Sequence, residues 1–159
     1  MLELVKLTES VSYIPNTTNI GVIRTDSGVI LIDSGFDDDT GKKILKCLEK
    51  EGLSLKVIIN THSHADHFGG NSYLREKTGT LVYAPEIEAS MIQYPIFEPF
   101  YLFSGAYPIS DLKNKFVMAK PSPVEYFIGK QEKHLTVCET EIEIIPLPGH
   151  ALNQIGVEK

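Results

Sequence analysis

No run of apolar residues in this 159-residue chain approaches the roughly 20 needed to cross a bilayer as a helix. The opening Met1-Leu2-Glu3-Leu4-Val5-Lys6 lacks a basic segment followed by a long apolar stretch, so it does not read as a signal peptide. Clusters of positive charge are missing too. Lys and Arg total 15 against 21 Asp and Glu, a net charge of −6, and they are dispersed. Binding phosphates needs clustered positive charge, so the surface argues against a nucleic-acid partner. A metal cleft can still be locally positive in an acidic protein. Cysteine is scarce: Cys47 and Cys138 lie far apart and outside any metal-ligand spacing. They read as reduced core thiols, on a helix and a strand respectively, which fits a cytoplasmic protein. Repeats and low-complexity segments are absent.

The remaining composition is that of an ordinary globular protein, at a length that makes one domain with a real core. Asn19 to Asp33 reads as two β-branched strands turning at Thr25-Asp26-Ser27-Gly28. Asp37 to Glu51 reads as a helix. Its aspartates lie at the start, Ile44, Leu45 and Leu48 make the buried stripe, Lys46 and Lys50 lie at the end, and Gly52 stops it. Leu55 to Asn60 is a short buried strand. Tyr73 to Lys77 belongs to a second helix ending near Gly79, Thr80 to Tyr83 is a strand, and Pro85 opens a short helix. Residues 91–127 hold many aromatics and five prolines without a clean period. Two readings stay open there: an aromatic lid inserted over a pocket, or irregular core. His134 to Val137 and Glu141 to Ile145 form a hairpin, with His134 a surface strand residue, and Ile155 starts another strand. This order is an α/β layer pattern.

The informative segment is Asn60-Thr61-His62-Ser63-His64-Ala65-Asp66-His67-Phe68-Gly69-Gly70. Three of the 5 histidines fall within six residues around one aspartate. Composition alone yields such a pattern with a probability on the order of 10⁻⁴. Imidazole nitrogen and carboxylate oxygen are the ordinary donors at catalytic zinc sites. The segment follows a buried strand, so it leaves the sheet at the carboxyl edge, where ligands collect in α/β proteins. In extended backbone His62 and His64 point the same way and can face one metal. Asp66 and His67 are adjacent and must diverge, which suits a second metal nearby. Gly69 and Gly70 let the backbone fold tightly beneath. The competing bland reading is a histidine-rich surface loop.

At these residues the sequence resembles the metallo-β-lactamase superfamily of metal-dependent hydrolases. Thr-His-Ser-His-Ala-Asp-His-Phe-Gly-Gly is similar to its first metal motif. Leu31-Ile32-Asp33-Ser34-Gly35 is similar to the strand-end motif whose aspartate supports the metal loop without touching the metal. Pro148-Gly149-His150-Ala151-Leu152-Asn153-Gln154-Ile155-Gly156 resembles the motif that delivers the next histidine; Ala-Leu-Asn replaces the Thr-Pro-Gly of many members.

The resemblance implies that His62, His64 and His150 hold a first metal and that Asp66 and His67 contribute to a second. The cofactor is then one or two zinc ions, with iron or manganese as alternatives. The implied fold is α/β: half of an αββα sandwich, a mixed sheet with helices on its outer face. Residues 1–159 read as the N-terminal half of such a domain, apparently truncated, since the family's bridging aspartate and last histidine would follow Ile155. From this come two expectations: one metal at best with weak or no activity for this chain alone, and self-association or a second half-chain covering the exposed sheet face.

For the parent enzyme the resemblance implies a metal-activated hydroxide attacking a small ester, thioester or lactone, with Asp66 orienting the nucleophile and passing on a proton. Alternatives are the phosphodiesterase or ribonuclease branch, a non-catalytic metal-containing binding module, and a redox enzyme of the same fold. His64 argues against the last, because the di-iron branch usually has glutamate there.

Overall fold

A computed structural model describes residues 2–159. Its main sheet has seven strands in chain order: β1 (Val5–Lys6), β2 (Val11–Ile14), β3 (Ile20–Thr25), β4 (Gly28–Ile32), β5 (Leu55–Ile59), β6 (Leu81–Pro85) and β7 (Tyr126–Ile128). The first four run antiparallel, as short turns demand. From β4 to β7 every pairing is parallel, and each crossover carries helix. These are α1 (Asp38–Lys50), then α2 (Ala65–Phe68) with α3 (Asn71–Thr78), then α4 (Glu86–Gln93) with α5 (Phe97–Leu102). A second sheet of three antiparallel strands is ordered β10 (Ile155–Glu158), β9 (Thr140–Pro146), β8 (His134–Val137).

Helix α1 forms where its charges and caps predict. Asp37 caps it, accepting from the Thr40 amide at 3.0 Å and the Thr40 hydroxyl at 2.9 Å. Gly52 ends it in the left-handed region (φ 67), with Leu53 N–H donating to Leu48 O and Gly52 N–H to Glu49 O, the hydrogen-bond pattern of a Schellman stop. Its buried side is Ile44, Cys47 and Leu48, with Leu45 half-buried at the margin. Helix α3 also stops at a left-handed glycine, Gly79 (φ 70), but with a single closing bond, from its N–H to Arg75 O. Pro85 precedes the first turn of α4 instead of occupying it.

Alternation along the central strands divides the core in two. Ile20, Val22, Val29, Leu31 and Ile58 face α1, while Ile23, Ile30, Val57 and Ile59 face Leu135, Val137, Ile142 and Ile144 of the small sheet. The layers are therefore helix, sheet, sheet. The face expected to be bare is covered at these strands by β8–β10 of the same chain.

Cys138 does not lie in a strand. With Glu139 it forms the β8–β9 turn, both residues at positive φ (51° and 59°). A two-residue hairpin turn of that hand matches strand twist, and here it is made without Asn or Gly. Both cysteines are free thiols. Residues 91–127 contain α4's end, α5 and a 3₁₀ turn at Ser110–Leu112, and they bury few of their rings: Tyr94, Phe97, Phe100, Tyr101, Tyr107 and Phe116 are all exposed. They are not core. Among the described residues no helix is long and apolar enough to cross a membrane.

Candidate metal centre

The parallel strands β4, β5 and β6 end at one edge, and the polar segments that follow them meet there. Ser34 N–H donates to His67 O at 2.7 Å, Asp33 N–H to Ile59 O at 2.9 Å and Asn60 N–H to Tyr83 O at 2.9 Å. The buried trio Ser34, Asn71 and Asn60 is joined by 2.7 Å side-chain bonds. Gly69 and Gly70 are required by contact. A Cβ at Gly69 would run into Phe36 O, and one at Gly70 into Ser34 O. The loop from Thr61 to Gly70 is thus pressed against the β4 end, with α1 close behind it at Gly41.

His150 arrives from the β9–β10 connection, which is tied to the loop by Ile155 N–H donating to Thr61 O at 3.1 Å. Its ring centroid lies 4.5 Å from that of His64 and 5.1 Å from that of His62. His64 Nδ1 and His150 Nε2 are 3.0 Å apart. One ring nitrogen from each of His62, His64 and His150 falls within 4.8 Å of the others.

Asp33 sits behind this cluster in a left-handed conformation (φ 66). Its Oδ1 accepts the Thr61 amide at 2.8 Å, and its Oδ2 accepts the Thr61 hydroxyl at 2.8 Å and His67 Nδ1–H at 2.7 Å. A carboxylate only accepts, so the single Thr61 hydroxyl proton is committed to Asp33. The same hydroxyl, 2.9 Å from His62 Nδ1, must then accept from that nitrogen. Both His62 and His67 are thereby fixed with Nδ1 protonated and the Nε2 lone pair free. His62 Nε2 is buried and has no hydrogen-bond partner. An orphaned buried lone pair is costly unless something fills the place, and a cation fits it. On a tetrahedral zinc with bonds of ~2.0–2.1 Å, two nitrogens sit about 3.3 Å apart, close to the His64–His150 spacing.

Protonation is tuned to match. Burial, reinforced by the neighbouring imidazoles, pushes His62 down to about 3, and burial with His150 nearby lowers His64. Burial would also lower His67, but its bond to Asp33 and the charges of Asp33 and Asp66 outweigh this and raise it. The His67 ring lies tilted at 49° to that of His62, centroids 4.0 Å apart, with its Nε2 3.8 Å from Asp66 Oδ2. The Asp66 side chain is partly exposed and its carbonyl accepts the Thr18 hydroxyl at 2.7 Å. Asp66 and His67 therefore adjoin the three-histidine cluster without belonging to it. His134 lies away on β8, exposed and 3.7 Å from Glu141.

Two carboxylates not singled out from sequence also border the site. Glu98, on α5, is 8% exposed and pushed up to about 7 by burial and by the charges of Asp66 and Glu88. Glu88, on α4, is 1% exposed. The available signal was helical spacing: Glu88 shares a face with Met91 and Ile92, both buried.

Fold and site together define an α/β protein of stacked sheets with a histidine cluster able to hold a metal ion at its strand ends. The metallo-beta-lactamase superfamily model matches residues 13–159, and the chain belongs to that superfamily. A hydroxyacylglutathione hydrolase of Rhizobium meliloti is 35% identical over 82 residues, covering 50% of this chain and 31% of the relative. Among solved structures, BJP-1, a subclass B3 metallo-beta-lactamase of Bradyrhizobium japonicum, superposes with TM-score 0.78 at 21% identity, over 97% of this chain and 55% of that one. A class B3 di-zinc metallo-beta-lactamase from an Alaskan soil metagenome gives TM-score 0.78 at 17% identity, over 98% and 56%. The chain thus spans under a third of that curated relative and just over half of those two solved chains.

Proposed function

We propose that this chain supplies the primary metal centre of a hydrolase acting on a small ester, thioester or lactone, with His62, His64 and His150 as ligands. The observation that carries the reading is the convergence of three imidazoles with one buried, unpartnered nitrogen among them. A bound zinc ion would supply a water acidic enough to act as nucleophile near neutral pH and a Lewis acid for the substrate's carbonyl oxygen. Asp33 holds the His62 and His67 tautomers. Asp66, at the rim, orients the attacking water and takes or returns its proton. Asp66 and His67 would hold a second ion, to which this chain brings fewer donors than to the first. Zinc suits the all-imidazole set, and iron or manganese would be tolerated.

Beside Asp66 opens a cavity of about 640 Å³ lined by Asn16, Thr17, Phe36, Lys43 and Phe116 among others. Its size suits a small molecule. Phe36 and Phe116 lie 5.3 Å apart across its wall, so residues 91–127, which contribute Phe116, serve as a lid over this pocket. The relative named for an acylated glutathione supports the thioester among the three substrate classes.

The test is metal removal and return. The protein stripped by chelator and given zinc should regain metal in proportion to its cluster and, in its full-length form, cleave thioesters or lactones over phosphodiesters. Hydrolysis indifferent to chelator overturns the mechanism. Preference for phosphodiesters moves the protein to the nuclease branch, and metal uptake with no turnover on any of these substrates makes it a binding module.

A further inference from the structure

We propose that Glu88 is a positioning residue of the metal centre: one buried carboxylate that fixes the His62–His64 loop against the loop carrying His150. The inference rests on the metal-centre reading above. In the extended segment His62-Ser63-His64 alternate side chains point opposite ways, so Ser63 faces away from the cluster, towards α4. There its amide and hydroxyl both donate to Glu88 Oε2, at 3.0 and 2.6 Å. The other oxygen, Oε1, accepts the amide of Asn153 at 2.9 Å, three residues past His150. Each oxygen thus holds one of the two ligand-bearing loops.

A carboxylate that is 1% exposed is tolerated only where its hydrogen bonds are made. Three donors, two of them backbone amides, meet that demand and over-determine its place. Otherwise the loops are joined by the backbone bond from Ile155 to Thr61 and by the His64–His150 contact. The latter is the contact an ion would replace, so Glu88 sets the mouth of the site from its far side. Glutamine cannot substitute. It has one accepting oxygen, so an amide N–H of one loop would face its NH₂, donor against donor.

The probe is cobalt(II), titrated into the metal-free chain and followed by its d–d absorption. Wild type should take one equivalent with the intense spectrum of a four-coordinate site. Glu88→Gln should bind about 10- to 100-fold more weakly, the range found when a group supporting metal ligands is lost, and with a weaker, altered spectrum. Unchanged affinity and spectrum overturn the assignment, as does a variant that only melts earlier while its cobalt spectrum stays that of wild type.

Should Glu88→Gln not fold, Ser63→Ala decides. It removes the hydroxyl's bond to Glu88 and its 3.4 Å contact with Met91 Sδ, keeps the Ser63 amide bond, and should weaken cobalt binding by about tenfold. Ser63→Thr, which restores a hydroxyl, should recover it, and an unaltered Ser63→Ala overturns the proposal. If wild type itself takes up no cobalt, the metal-centre reading fails and not the clamp.

Discussion

His67 Nδ1 lies 2.7 Å from Asp33 Oδ2, the oxygen that also takes the Thr61 hydroxyl proton. One carboxylate therefore sets the tautomers of two histidines, His67 directly and His62 through Thr61. Asp33→Asn removes the charge while keeping a side chain that tolerates positive φ. Without Asp33's charge and bond, burial should dominate at His67 and its imidazole should titrate below 6.5, the ordinary histidine value. NMR titration of the metal-free chain reads this directly. A His67 titration unmoved by the substitution contradicts the relay.

Stability should fall on the acid side because of His62. Its folded value, about 3, lies below its ordinary 6.5. The unfolded chain takes up a proton first, so stability is intact above 6.5 and is lost as pH drops towards 3. The loss is on the order of a few kcal/mol. Chemical denaturation of the metal-free chain across this window should show the slope, and His62→Gln should flatten it.

Glu98 works with the opposite sign. Its folded value of about 7 exceeds its ordinary 4.5. The contribution is intact below 4.5 and is lost as pH rises through 7, on the order of 3 kcal/mol at most. Glu98→Gln should make the metal-free chain more stable at pH 8 than wild type and leave pH 4 nearly unchanged. Equal gains at both pH values would mean that the carboxylate's ionisation is not the cause.

Gly70→Ala should cost about 2 kcal/mol or more, since the new methyl meets Ser34 O and Gly41 Cα, both backbone atoms. Gly52→Ala meets nothing within 4 Å and should cost only its left-handed strain, about 1 kcal/mol. Only the first should also weaken metal uptake. Equal melting temperatures for the two variants would contradict the close packing under the loop.

The outer edge of β10 pairs with no strand among the described residues, and Leu147 and Leu152 are exposed nearby. Unpaired strand edges recruit partners. Self-association, or capture of a second half-chain, should appear as a concentration-dependent mass in light scattering. A constant monomer mass at the highest soluble concentration would contradict it.

What was legible in the sequence was what local chemistry dictates. Helix α1 announced itself through Asp37, Ile44, Leu48 and Gly52, and the metal loop through four donors behind a β-branched strand. Glu88 was hidden because an acidic residue in a first helical turn has a sufficient local explanation; tertiary packing alone turned it inward. Cys138 was misplaced because its left-handed turn uses residues that do not advertise one. The bare sheet face was expected because a hairpin's alternation shows that it has an apolar side and not what that side meets; in the structure Ile142 and Ile144 share a core cluster with Ile30 and Ile59. Residues 91–127 gave no period because their aromatics do not fill a core.

The central claim is convergence of three imidazoles on one ion. X-ray absorption at the zinc edge of the zinc-loaded chain tests it most directly. The prediction is three imidazole ligands at about 2.0–2.1 Å with one further light atom. Zinc with fewer than two imidazoles, or with sulfur in its shell, would contradict it.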